Sequence, residues 1–133
     1  MSLTGHWSAC PIDDGGASDL ELVFLPNGTG VIAEWNWFLC SVKEILWHLE
    51  GDNTILQVVV KGKEQPCIGG KVMFVNNVPL TDIVGKTHMF DSFSVSDEKL
   101  GRQEFFKLPT PEAELAAQID ELWQILDKEK RPK

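Results

Sequence analysis

No stretch of the 133-residue chain is apolar for the roughly 18 residues that a membrane-spanning helix needs. Basic residues are sparse: twelve Lys and Arg stand against twenty Asp and Glu, a net charge of −8, and they are scattered rather than grouped with aromatics. Such a chain repels phosphate backbones, so nucleic acid is not an expected partner. The start "MSLTGHWSACPIDD" lacks a basic opening followed by an apolar segment, which points to the cytoplasm; a leader trimmed away would leave the periplasm or secretion open. There are only three cysteines, Cys10, Cys40 and Cys67, and no C-x-x-C pair. Reduced thiols are the expected state, with one bridge such as Cys10 to Cys67 as the alternative.

Chemical signatures are absent as well. A phosphate loop, a dinucleotide fingerprint, H-E-x-x-H, a calcium loop and G-x-S-x-G are all missing, so no catalytic residue and no cofactor is assigned. His6, His48 and His88 stand far apart in sequence, and a metal site would require the fold to gather them with a thiolate or carboxylate. No metal is therefore expected. Asp13 and Asp14 in "PIDDGG" read as a solvated turn, and Cys40 as a small buried hydrophobe rather than a reactive thiol.

What the chain does contain is ordinary globular material, 43% apolar and 24% charged, at a length that supports one core. Its organisation changes once, near Pro109. Before it, short runs rich in Val, Ile, Phe and Trp alternate with Gly, Asn, Asp and Pro punctuation, the pattern of antiparallel strands. Residues 1–109 are read as a β-barrel and 110–133 as an amphipathic helix packed on it, one domain overall, either monomeric or a homodimer.

Two hairpins can be registered from their turns. In "LELVFLPNGTGVIAEWNW" a two-residue Asn27-Gly28 loop of type I′ would oppose Phe24 to Val31, Leu22 to Ala33 and Leu20 to Trp35 on one apolar side, with Glu21 facing Glu34 on the other. In "EILWHLEGDNTILQVVV" a Gly51-Asp52 turn of type II′ would oppose Trp47 to Leu56, Ile45 to Val58 and Leu49 to Thr54. The inner parity passes from Trp35 and Trp37 to Ile45 and Trp47 through a connection at Leu39-Cys40-Ser41. Further on, "KVMFV", "KTHMFDSFSV" and "RQEFFKL" read as strands, with turns at Asn76-Asn77 and between Ser96 and Gly101. Pro79 demotes "VPLTDIV" to an edge, a bulge or a crossing loop. With "LTGHWS" first, the count is eight or nine strands, enough to close an up-and-down barrel, with a sandwich as the alternative.

The tail "TPEAELAAQIDELWQILDKEKRPK" predicts a helix with Thr110 as its cap and Pro111 at its first position. Leu115, Ile119, Leu122, Trp123 and Leu126 form its apolar stripe, and Lys128, Lys130 and Arg131 sit at its negative end.

Taken together, "LTGHWS", "LVFLPNGTG" and "ILWHLEGDNTILQV" resemble the small bacterial lipocalin-like proteins of the calycin superfamily over roughly residues 3–108. The resemblance rests on Gly5-His6-Trp7, the family's G-x-W. It implies that Trp7 plugs the closed end of a barrel beneath a basic side chain from a late strand, for which Arg102 is the candidate. It also implies an interior that holds a small apolar ligand, and no catalytic chemistry. Phe24, Trp35, Trp37, Trp47, Phe74 and Phe90 are the expected ligand wall. Eight strands enclose room for side chains or for one small ligand, so a filled barrel that serves protein interaction through its acidic surface or its helix is the competing expectation.

Overall fold

The alternation before Pro109 becomes eight antiparallel strands in the computed structural model, which describes residues 2–52 and 54–130. In chain order they are β1 (Gly5–Ser8), β2 (Ser18–Phe24), β3 (Thr29–Asn36), β4 (Phe38–Glu50), β5 (Ile55–Val60), β6 (Ile68–Thr81), β7 (Thr87–Asp97) and β8 (Gly101–Lys107). Each pairs with its sequence neighbours, and β8 closes onto β1 through Trp7 with Lys107 and Ser8 with Phe106. The fold is a closed up-and-down barrel, in which wall strands find ladder partners on both sides.

The first hairpin differs from the expected register by one residue, and that residue reverses a face. Phe24 pairs with Gly30, Leu22 with Ile32 and Leu20 with Glu34. Pro26 is the cause. Its fixed φ suits the first central position of a type I turn, so the loop takes three residues, Pro26 to Gly28, instead of two. Gly28 then adopts φ 84°, the left-handed conformation that closes this turn with a bulge. The bonds agree: Gly28 N–H donates to Leu25 C=O at 3.2 Å and Leu25 N–H to Thr29 C=O at 2.9 Å. Because side chains alternate with period two, the slip moves all of β3 to the other side. Ile32 points inward, Trp35 lies outside opposite Asp19, and Glu21 faces Ala33 rather than Glu34.

The second hairpin slips by two residues, which leaves its faces intact. Ile45 pairs with Val60, Trp47 with Val58 and Leu49 with Leu56, across a connection at 51–54 that is longer than a two-residue turn; Asn53 lies outside the described residues. Between β3 and β4 the chain turns at Trp37, φ 63°, with Asn36 paired to Phe38. The expected connection at Leu39-Cys40-Ser41 is instead part of β4. Cys40 is exposed, not buried, and the described cysteines are all free thiols, with no bridge between Cys10 and Cys67.

The expected turn at Asn76-Asn77 is a bulge inside β6, where the register with β7 shifts between Val75 and Val78. Asn77 takes φ 56° there. The strand runs on through Pro79, paired with Met89. Past Lys71, β5 no longer pairs with β6, so the missing N–H of Pro79 removes no bond from the barrel wall. The tip of this long hairpin is tied back to the loop between β1 and β2 by Ile83 N–H donating to Asp13 C=O at 2.9 Å.

After β8, a 3-10 turn (Glu112–Glu114) leads into α1 (Leu115–Lys130); Arg131, expected near the helix C-terminus, lies outside the described residues. Pro111 occupies the cap position without a side-chain bond, so Thr110 does not cap the helix as its sequence suggests. Leu115, Leu122 and Leu126 are buried against Val23, Val31, Ala33, Leu39 and Val42 on the outer wall. The flipped β3 is what supplies that apolar outer patch. Burying each leucine contributes about 1.5–3 kcal/mol, enough to hold the helix on β2, β3 and β4.

Candidate ligand site in the barrel

One end of the barrel is closed by interlocked rings. Trp7 meets Phe93 edge-on at 4.6 Å, Phe93 stacks on Phe105 at 5.3 Å, and Phe24 lies 5.1 Å from Trp47 and 6.2 Å from Phe93. Phe74 joins at 6.5 Å from Phe93. These separations are those of favourable aromatic pairs. Each indole nitrogen in the group is satisfied: Trp7 Nε1 donates to Leu3 C=O at 2.8 Å, and Trp47 Nε1 to Leu25 C=O and Thr29 C=O at 3.1 and 3.0 Å.

The cation over Trp7 is Lys107, with Nζ 5.7 Å from the ring centroid, and not Arg102. Register explains the difference. Lys107 pairs directly with Trp7, whereas Arg102 pairs with Ser96 near the opposite end of β8 and leans toward Glu104 at 3.8 Å. Gly5 leaves room for this contact, since a Cβ there would meet Lys107 Cε at 3.3 Å.

Toward the other end the inner wall turns aliphatic. Ile32, Ile45, Ile68 and Val95 are buried, while Leu20 and Val60 pack on the same cluster but stay half-buried. Pairing puts Glu34 beside Leu20, Lys43 beside Ile32 and Gln103 beside Val95 on the inner parity. The aliphatic end therefore has an acid, a base and an amide near its rim. That composition, mostly apolar with a few polar groups, is what small-molecule sites use.

Of the six residues expected to line the wall, Phe24, Trp47 and Phe74 are inside and in one cluster. The other three are not. Trp35 packs beneath α1 in the outer cluster, its Nε1 buried without an acceptor among the described residues. Trp37 sits at a hairpin tip, 78% exposed. Phe90 lies beyond the β6 bulge and touches Phe106 on the outside at 6.1 Å. Leu20 lies on the inner side its hairpin pattern predicts, whereas Glu34 is not expected there because Asn27-Gly28 outweighs Pro26 in a turn assignment, and Gln103 lies in a later strand that carries no comparable turn signal.

The three imidazoles are separately engaged: His6 with Glu21 at 3.3 Å, His48 with Glu50 at 2.8 Å and His88 with Asp82 at 3.0 Å. The bond from His88 holds the Asp82 carboxyl below its ordinary range. Burial raises that of Asp19 despite the hydroxyl of Ser8, which bonds both its oxygens at 2.8 Å.

No protein-family model, curated protein or solved structure matches the chain.

Proposed function

We propose that the protein binds a small apolar molecule, without transforming it, in the half of the barrel away from Trp7. The observation that carries this reading is the half-buried pair Leu20 and Val60 packed on a buried aliphatic floor, inside a closed barrel. Phe24, Trp47 and Phe74 form the deep wall against which the ligand stops, and their mutual packing limits it to a short or compact molecule. Glu34, Lys43 and Gln103 at the rim suit a ligand with one polar end. The fold and the Gly5-His6-Trp7 plug agree with the lipocalin-like resemblance that first suggested a ligand.

The competing role for the helix as a partner-binding element has less support, because its stripe is already covered by the barrel. The test is a thermal-shift panel of short-chain acids, alcohols and aromatic dyes. A true ligand at about 100 times its Kd stabilises by about 2.7 kcal/mol, a rise of several degrees. Val60→Glu, which puts a charge in the mouth, removes the shift while the variant still melts cooperatively. Flat responses across the panel would overturn the proposal.

A further inference from the structure

Sequence alone shows no nucleophile beside a base, yet the outer wall of the fold assembles one. The backbone of Leu108 N–H bonds His6 C=O at 2.8 Å, which draws the segment after β8 across β1. Thr110 Oγ1 then comes to 2.8 Å from His6 Nδ1, while His6 Nε2 lies 3.3 Å from Glu21 Oε2. The imidazole is 5% exposed, so its two partners account for its polar atoms. With a neutral imidazole, a Glu21 carboxylate accepts from Nε2–H, and Nδ1 is then the acceptor for the threonine hydroxyl. The arrangement is hydroxyl, base and orienting acid in that order.

The same residue borders open space. Thr110 lines a cleft of about 680 Å³ between the bent β6–β7 hairpin and the outside of β8, with His88, Phe90, Lys107 and Leu108 among its walls. This volume lies within the range of small-molecule sites, about 300–1,000 Å³. Phe90 and Leu108 offer apolar surface for an acyl chain. The relay itself lies outside the barrel interior, since Glu21 and His6 share the outward parity of β1 and β2.

We propose that Thr110, His6 and Glu21 form a catalytic relay that hydrolyses short apolar carboxylic esters in this outer cleft. Thr110 Oγ1 bonds the ester carbonyl carbon as its proton passes to His6 Nδ1; the carbon–alkoxide bond then breaks, and the same proton leaves with the alcohol. Water attacks the acyl-threonine, gives one proton to His6 Nδ1 and releases the acid, and that proton returns to Thr110. Thr110 and His6 are the catalytic residues. Glu21 is a positioning residue that sets the tautomer.

The test uses the full chain with p-nitrophenyl acetate and butyrate, with mass mapping of any acyl adduct. Saturable turnover with the adduct on Thr110 is expected, retained in Thr110→Ser and reduced at least about 100-fold in Thr110→Val. Glu21→Gln lowers kcat with little change in KM, and Glu21→Asp restores part of it. Val60→Glu leaves ester hydrolysis intact, which separates this site from the barrel ligand site. A Thr110→Val protein that melts like the parent and hydrolyses ester at the parental rate would overturn the proposal, as would adducts confined to lysines or the absence of turnover above buffer.

Discussion

Trp35 carries a buried N–H that has no acceptor among the described residues, beneath a helix and against an outer wall of aliphatic side chains. An unsatisfied buried donor carries a desolvation penalty of about 1–3 kcal/mol, so removing it while keeping an aromatic ring is favourable or neutral. Trp35→Phe is therefore expected to melt at or above the parental temperature and to leave any ligand-induced shift unchanged. A loss of that shift would return Trp35 to the ligand wall. Cys10 makes a second residue-scale case. Burial pushes its thiol from 9.0 up to about 11, with Asp14 and Asp19 adding to the rise. A thiol whose folded pKa is raised contributes stability that is full below its unfolded value and lost as pH climbs through the folded one. Stability from this group therefore declines between about pH 9 and 11. Mass-resolved alkylation should modify exposed Cys40 first and reach Cys10 only as the pH approaches that upper value; equal rates at neutral pH would contradict it.

Elements show where sequence reading succeeds and where it fails. The strands, the amphipathic tail and the turn near Glu98 are legible, because period-two and period-3.6 patterns persist over many residues and average out local ambiguity. Register is harder, since it hangs on one turn. Asn27-Gly28 reads as a two-residue loop, but Pro26 competes for the same bend and wins, and one residue of difference sends Trp35 and Glu21 to new neighbours. The Gly51-Asp52 hairpin slips by an even number, so Ile45, Trp47 and Leu49 keep their inner face despite the error. Asn76-Asn77 carries turn composition and forms a bulge, a distinction that depends on what β7 pairs with. Thr110 has the composition of a cap, yet its hydroxyl is taken by a histidine 104 positions away. At this scale the helix makes a firm prediction. Leu122, 1% exposed, is central to the outer cluster, and Leu122→Ala should destabilise the protein by about 2–5 kcal/mol in a denaturant melt. A change below half a kcal/mol would mean that α1 is not held by this contact.

Across the whole molecule, the barrel divides its apolar residues between an inside that is aromatic at one end and aliphatic at the other, and an outer patch that the helix covers. That division follows from the β3 face reversal: Ile32 joins the interior, while Val31 and Ala33 give the helix a seat. Glu34 and Lys43 stand near the rim of the aliphatic end, and Lys107 covers Trp7 at the other. The legible part of the candidate site was the aromatic half, Phe24, Trp47 and Phe74; the aliphatic mouth was hidden because it joins strands whose relative positions no single turn determines. The most direct measurement is a methyl-resolved NMR titration with the best ligand from the thermal panel. The account predicts saturable shifts at the methyls of Leu20, Ile32, Val60 and Ile68, with Leu115, Leu122 and Leu126 unmoved. Shifts confined to the helix-side leucines, or none at saturating ligand, would contradict a site inside the barrel.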